Sequence, residues 1–148
     1  VQAHRLSLHD VRAEAGRREH VKILYVAGPY RGRDAWEVEQ NIRRAETVAL
    51  ELWRMGAAVI CPHANSRYFS GALPDDTFLR GDLAMLERCD GVVALPDWLD
   101  SEGARLEVEH ASALGKHVFV WRPGNWALVQ WIAGEGATLD AGGVSCPT

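Results

Sequence analysis

Short continuous apolar runs alternate along this chain with longer stretches whose apolar residues recur every three or four positions. The first run, Ile23-Leu24-Tyr25-Val26-Ala27, is closed by Gly28-Pro29, and its length and breakers predict a buried strand. From Asp34 to Arg54 the period changes: Val38, Ile42, Ala45, Val48, Ala49 and Leu52 describe one face of a helix. Asp34 with Glu37 three residues on predicts a cap at its start, and Gly56 fits its exit. Ala57-Ala58-Val59-Ile60-Cys61 reads as a second strand stopped by Pro62, followed by a loop rich in Asn, Ser, Gly and Pro through Pro74. A helix is predicted from Asp75 to Arg88, a third strand over Gly91-Val92-Val93-Ala94-Leu95, and a third helix from Ser101 to Leu114 closed by Gly115. Val118-Phe119-Val120-Trp121 is the fourth strand, and a last short helix includes Trp126 to Ile132. Residues 1 to 20 are polar and poorly patterned, which predicts a loose N-terminal arm ahead of a single domain over residues 21–148.

Strands that alternate with helices, each strand apolar throughout, imply a parallel sheet covered on both faces. The expected fold is a single-domain, Rossmann-like α/β architecture of about four to five parallel strands. Ligands in such sheets bind outside the carboxyl ends of the strands. That rule directs attention to Gly28–Gly32, Pro62–Asn65 and Asp97–Gly103.

The 148-residue length supports one domain with a real core, and 47% hydrophobic with 24% charged residues is ordinary globular composition. Sixteen Lys plus Arg against 20 Asp plus Glu give a net charge of -4, which argues against a nucleic-acid polymer as partner. No apolar run approaches the roughly 20 residues that span a bilayer, and no signal-peptide core stands near the start. Cys61, Cys89 and Cys146 are odd in number and scattered, forming neither a disulfide framework nor a zinc pattern. The expectation is a cytoplasmic protein without membrane attachment or metal.

Two acids break the helical patterning. Glu107 falls on one stripe with Ala104, Ala111 and Leu114, while Arg105, Glu109, Ser112 and Lys116 form the opposite face. Asp82 shares a face with Phe78, Leu79, Met85 and Leu86, away from Arg80, Ala84 and Glu87. A carboxylate on a buried stripe is costly unless paired, so each is either salt-bridged at the edge of its stripe or kept for chemistry. Two such acids, each on a helix that follows a site-forming loop, suit nucleophilic or acid–base work on a sugar.

Other candidates admit two readings. Ser101 is a good N-cap, and together with Gly103 at a helix N-terminus it is also a phosphate contact. Gly28-Pro29-Tyr30-Arg31-Gly32-Arg33 offers two glycines and two arginines to an anion, but lacks both a Walker Lys-Ser/Thr and the G-x-G-x-x-G spacing. His63 is a structural loop histidine or a pocket residue. Trp98, in the loop leading to Ser101, is placed to wall a base pocket, whereas the other tryptophans are core or interface candidates.

The ordered set Leu24-Tyr25-Val26-Ala27-Gly28-Pro29, Asn41, Ala45, Cys61-Pro62-His63, Asp82, Cys89-Asp90-Gly91-Val92-Val93 and Ser101-x-Gly103-x-x-x-Glu107 resembles the nucleoside 2-deoxyribosyltransferase superfamily. The resemblance runs from about Lys22 to Trp121 and is nearest to the nucleoside 5'-monophosphate N-glycosidase branch and to small bacterial and phage domains of unassigned function. It implies cleavage of an N-glycosidic bond without a metal or other cofactor. By that resemblance Glu107 is the nucleophile that attacks the anomeric carbon, Tyr25 orients it, and Asp82 helps protonate the leaving base. His63 then matches a pocket position, and Gly28, Arg31, Gly32, Trp98, Ser101 and Gly103 are implied substrate contacts. Transferases acting on free deoxyribonucleosides carry an aspartate where Ser101 stands, whereas the monophosphate N-glycosidases carry serine, which implies a phosphorylated substrate. The resemblance also implies a homodimer or larger assembly in which a neighbour's C-terminal segment closes the pocket, with Trp121, Trp126 and Trp131 compatible with an interface.

The leading expectation is therefore hydrolysis of a (deoxy)ribonucleoside 5'-monophosphate to free base and sugar 5-phosphate. A base-exchanging deoxyribosyltransferase, an NAD-cleaving glycosidase and a non-catalytic nucleotide sensor are the competing readings. Tyr25, Asp82 and Glu107 together argue against the sensor.

Overall fold

The computed structural model describes residues 20–134 together with Ser7. The expected N-terminal arm, apart from Ser7 and His20, and the residues beyond Gly134, Cys146 among them, lie outside the described residues. Strands β1 (Ile23–Ala27), β2 (Ala58–Ile60), β3 (Gly91–Ala94) and β4 (His117–Val120) form one sheet in the order β2-β1-β3-β4. All three pairings are parallel, with Tyr25 opposite Ile60 on one side and Val92 on the other. Helices α1 (Ala35–Arg54), α2 (Pro62–Asn65), α3 (Asp75–Leu86), α4 (Glu102–Ala113) and α5 (Trp126–Ala133) complete the fold, with a single 3₁₀ turn at Trp98–Asp100 before α4.

Alternation along the strands sorts side chains into two cores. Leu24, Val26, Val93 and Leu95 face α1 and α5, burying Ala45, Val48, Ala49, Leu52 and Leu128. Tyr25, Ala27, Val92 and Ala94 face the other side with Leu86, Val108 and Ala111. A sheet covered on both faces needs strands apolar at every position, so the runs carry no polar alternation. The α/β expectation holds, with four strands among the described residues.

The predicted boundaries shift by a residue or two. Asp34 caps α1, its Oδ1 accepting from the Glu37 amide at 2.9 Å. Ser101 is the N-cap of α4, as its hydroxyl suggested, accepting from the Ala104 amide at 3.3 Å. The stretch expected as an open loop after β2 begins instead with the short helix α2, because Pro62 fits the first helical position, where its missing N–H costs nothing. On α4, Ala104, Glu107, Val108 and Ala111 are buried as a stripe, but Leu114 lies beyond the last turn and is exposed. Among the described residues no helix is long and apolar enough to cross a membrane.

Crossing from β2 back over β1 to β3 makes the chain leave the carboxyl ends of β1 and β3 in opposite directions. A crevice opens outside such a switch point. Its rims here are the loop after β1, residues 28–33, and the loop after β3, residues 95–101.

Candidate active site

Tyr25 stands at the middle of β1, wholly buried, with its ring on the α3–α4 side of the sheet. Its hydroxyl donates to Oε1 of Glu107 at 2.8 Å. Glu107 is 8% exposed, one of the few buried charged or polar side chains among the described residues. Burial pushes its carboxyl up to about 8; the Tyr25 hydrogen bond acts the other way and the charge of Asp82 adds to the rise. Burial likewise lifts the half-buried Asp82 to about 6. The Tyr25 phenol is raised well beyond its ordinary range, by burial first and then by the Glu107 and Asp82 charges, so it remains a donor throughout the working pH range.

Helix α3 packs on α4, and α4 packs on β1, β3 and β4, which brings both acids to the tyrosine. Neither acid is salt-bridged among the described residues, so the edge-pairing reading fails for both. Two neighbouring carboxyls that titrate near 6 and 8 hold one proton between them around neutrality. One carboxylate and one carboxylic acid side by side can attack a carbon and protonate a leaving group in the same site.

The rim after β1 is tightly built. A Cβ on Gly28 would lie 3.0 Å from the Leu95 side chain, and one on Gly32 would lie 2.7 Å from Cβ of Glu37. Both glycines are thus explained by close packing, of β1 against the loop after β3 and of the loop against α1. Arg31 donates to Asp75 at 2.6 Å, bridging this rim to the start of α3. Both partners are largely exposed, so the pair contributes at most about 1 kcal/mol and yields readily to a better anion.

His63, on α2, is 5% exposed, and its Nε2 meets the carbonyls of Gly28 at 3.1 Å and Pro29 at 3.0 Å. Burial holds its pKa below the ordinary value, so the ring is neutral at pH 7. The Tyr30 ring meets it edge-on at 5.9 Å between centroids. Trp98, in the 3₁₀ turn, packs against the core on the Tyr25 side, and Ser101 and Gly103 begin α4, the helix that carries Glu107. Apart from its own helix backbone and chain neighbours, the Ser101 hydroxyl, at 3.9 Å, is what a Cβ on Gly103 would meet among the described residues. Trp121 and Trp131 pack against the α1 side of the core, whereas Trp126 is exposed.

Three residues beside the site went unassigned from sequence. Asn41, 7% exposed on α1, donates to the carbonyls of Tyr30 and Arg31. Arg44 joins Asn41 to Asp97 in the loop after β3. A signal for Asn41 existed, since it lies four residues before Ala45 on the apolar face of α1. Asp97 opens the stretch that the strand-end rule singled out, but neither it nor Arg44 revealed its partner, because an exposed-looking charge does so only once the loops meet.

Residues 22–120 match the model of the family described as "Domain of unknown function (DUF4406)". No curated protein matches the chain by sequence. Among solved structures, the chain is similar to a 2-deoxyribosyltransferase from the psychrotolerant bacterium Bacillus psychrosaccharolyticus, at 20% identity and a TM-score of 0.50, covering 70% of this chain and 74% of that one. It is also similar to a CMP N-glycosidase of Clostridium botulinum, at 22% identity and a TM-score of 0.46, covering 76% of this chain and 81% of that one. The likeness to the transferase is one of fold, and that fold is the one the sequence resemblance implied.

Proposed function

For a chain that belongs to the DUF4406 family and buries a Tyr–Glu pair beside a second carboxyl, we propose hydrolysis of the N-glycosidic bond of a (deoxy)ribonucleoside 5'-monophosphate. The observation that carries this reading is Glu107, buried without a counter-ion among the described residues and hydrogen-bonded by Tyr25. A buried carboxylate without a cation is an expensive structural element, and its natural use is to meet positive charge that develops only during reaction.

In the proposed sequence the Glu107 carboxylate forms a bond to the anomeric carbon as the bond to the base breaks. The electron pair of that bond leaves with the base nitrogen, which takes the proton carried by Asp82. Cationic charge at the anomeric carbon favours the ionised form of Glu107, which moves the shared proton to Asp82 at the moment it is needed. Water then attacks the glycosyl-enzyme ester, gives its proton to Asp82, and releases Glu107 and the sugar 5-phosphate. The Tyr25 hydroxyl holds Oε1 in place, leaving Oε2 as the attacking atom.

The phosphate is assigned to the start of α4, with Ser101 and Gly103, and to the loop with Gly28, Arg31 and Gly32. An uncharged serine at the helix N-terminus, where the helix dipole is positive, suits a dianion better than an aspartate there. Arg31 would exchange Asp75 for the phosphate. Trp98 is proposed to lie against the base.

Chromatographic detection of free base tests the reading, with ribo- and deoxyribonucleosides and their 5'-monophosphates incubated with and without an acceptor base. Release from monophosphates without acceptor is the expected result. Exchange only with an acceptor would make the protein a transferase, and binding without turnover a sensor.

A further inference from the structure

Four consecutive carbonyls of the loop after β1 are held by only two side chains. His63 Nε2 serves those of Gly28 and Pro29, and Asn41 Nδ2 donates to those of Tyr30 at 3.2 Å and Arg31 at 3.0 Å. Two carbonyl acceptors fix the tautomer of His63, because only a protonated Nε2 can donate to them. Its Nδ1 is buried without a hydrogen-bond partner among the described residues, as a bare lone pair can be at lower cost than an N–H. The Asn41 amide is oriented just as firmly: its Oδ1 accepts from Arg44 Nη2 at 2.8 Å, which turns Nδ2 to the loop. Arg44 Nη1 in turn donates to Asp97 Oδ2 at 2.7 Å. A continuous chain of contacts thus runs from one rim of the crevice through α1 to the other.

Carbonyl oxygens repel a phosphate and amide hydrogens attract it, so the orientation of this loop decides whether it can receive an anion. The carbonyls of residues 28–31 are occupied by protein donors, while the amides of Tyr30, Arg31 and Gly32 have no protein acceptor among the described residues. We infer that His63 and Asn41 are positioning residues that keep the carbonyls of residues 28–31 turned away from the substrate phosphate and its amides free to receive it. His63 acts through the loop rather than by touching the substrate. This role rests on the nucleotide reading for its ligand, and on the loop geometry alone for its mechanism.

The test uses the full chain with His63→Phe, which keeps a ring but no donor, His63→Gln, which keeps an Nε2 donor, and Asn41→Leu, an apolar near-isostere. His63→Phe and Asn41→Leu are expected to raise KM for the nucleoside monophosphate about tenfold with kcat retained, to leave KM for the parent nucleoside within about twofold, and His63→Gln to recover most of the loss. Equal rises on both substrates, or a His63→Gln variant as impaired as His63→Phe, would overturn the role. In parallel, inorganic phosphate is titrated into ¹⁵N-labelled protein while the amide resonances of Tyr30, Arg31 and Gly32 are followed. Shifts in the wild type that disappear in His63→Phe and Asn41→Leu support the role; shifts that persist in both, or none in the wild type, overturn it. A wild type that releases no base from any nucleotide would overturn the hydrolase reading alone, since the phosphate titration still decides the loop.

Discussion

Tyr25 and Glu107, 82 residues apart in the chain, meet at 2.8 Å through a hydroxyl and a carboxylate oxygen that are both withdrawn from solvent. Among the described residues nothing cationic shares the contact, and the phenol is the group that stabilises the ionised form of Glu107 directly.

Tyr25→Phe deletes that donor while keeping the ring in its core. Glu107 should then titrate still higher, and kcat should fall about tenfold to a hundredfold at pH 7 with KM little changed. Steady-state kinetics across pH check this, the alkaline limb near 8 moving upward; an unmoved limb would mean the hydroxyl serves packing only.

Glu107→Gln should abolish turnover, by about a thousandfold or more, and yet stabilise the fold in a pH-dependent way. The sign follows from the raised pKa: between the ordinary 4.5 and about 8 the folded protein keeps a proton that the unfolded chain releases. Stability due to this group is therefore full below pH 4.5 and lost as pH rises toward 8. The variant should melt with the wild type near pH 4.5 and above it by on the order of 5 °C near pH 8, as read by thermal denaturation.

The shared proton predicts a bell-shaped dependence of kcat/KM with limbs near 6 and 8. Below the first limb both carboxyls are protonated and no nucleophile remains; above the second, no acid remains. Asp82→Asn should convert the bell to a single rise, centred below the wild-type upper limb because the Asp82 charge no longer lifts Glu107.

Ser101 has two duties that substitution can separate. Glycine is nearly as good an N-cap as serine, whereas alanine loses about 1 kcal/mol. Ser101→Gly should therefore melt close to the wild type but raise KM for monophosphates selectively, and Ser101→Ala should show the same KM effect with a lower Tm. An unchanged KM in Ser101→Gly would leave the hydroxyl as a helix cap and nothing more.

Much of this architecture was legible in the order of residues. Apolar runs closed by Gly or Pro gave the strands, because a strand buried on both faces must be apolar throughout and must end where the backbone turns. Glu107 and Asp82 stood out because helical periodicity is local, and a charge on the buried stripe is visible without knowing what covers it. The short helix α2 was hidden within a polar stretch, since four residues are too few to show a period.

What only the tertiary structure decided is which groups meet. That Arg31 faces Asp75, that His63 holds a loop some 34 residues earlier, and that Asn41 and Arg44 tie that loop to Asp97 all follow from strand order and from the loops it brings together. Periodicity records how each segment sits against a core, and carries no information about its neighbours across it. The elevated pKa values of Glu107 and Asp82 belong to the same class, because the desolvation of both, and the Asp82 charge that Glu107 feels, exist only after α3 packs on α4 and α4 on β1.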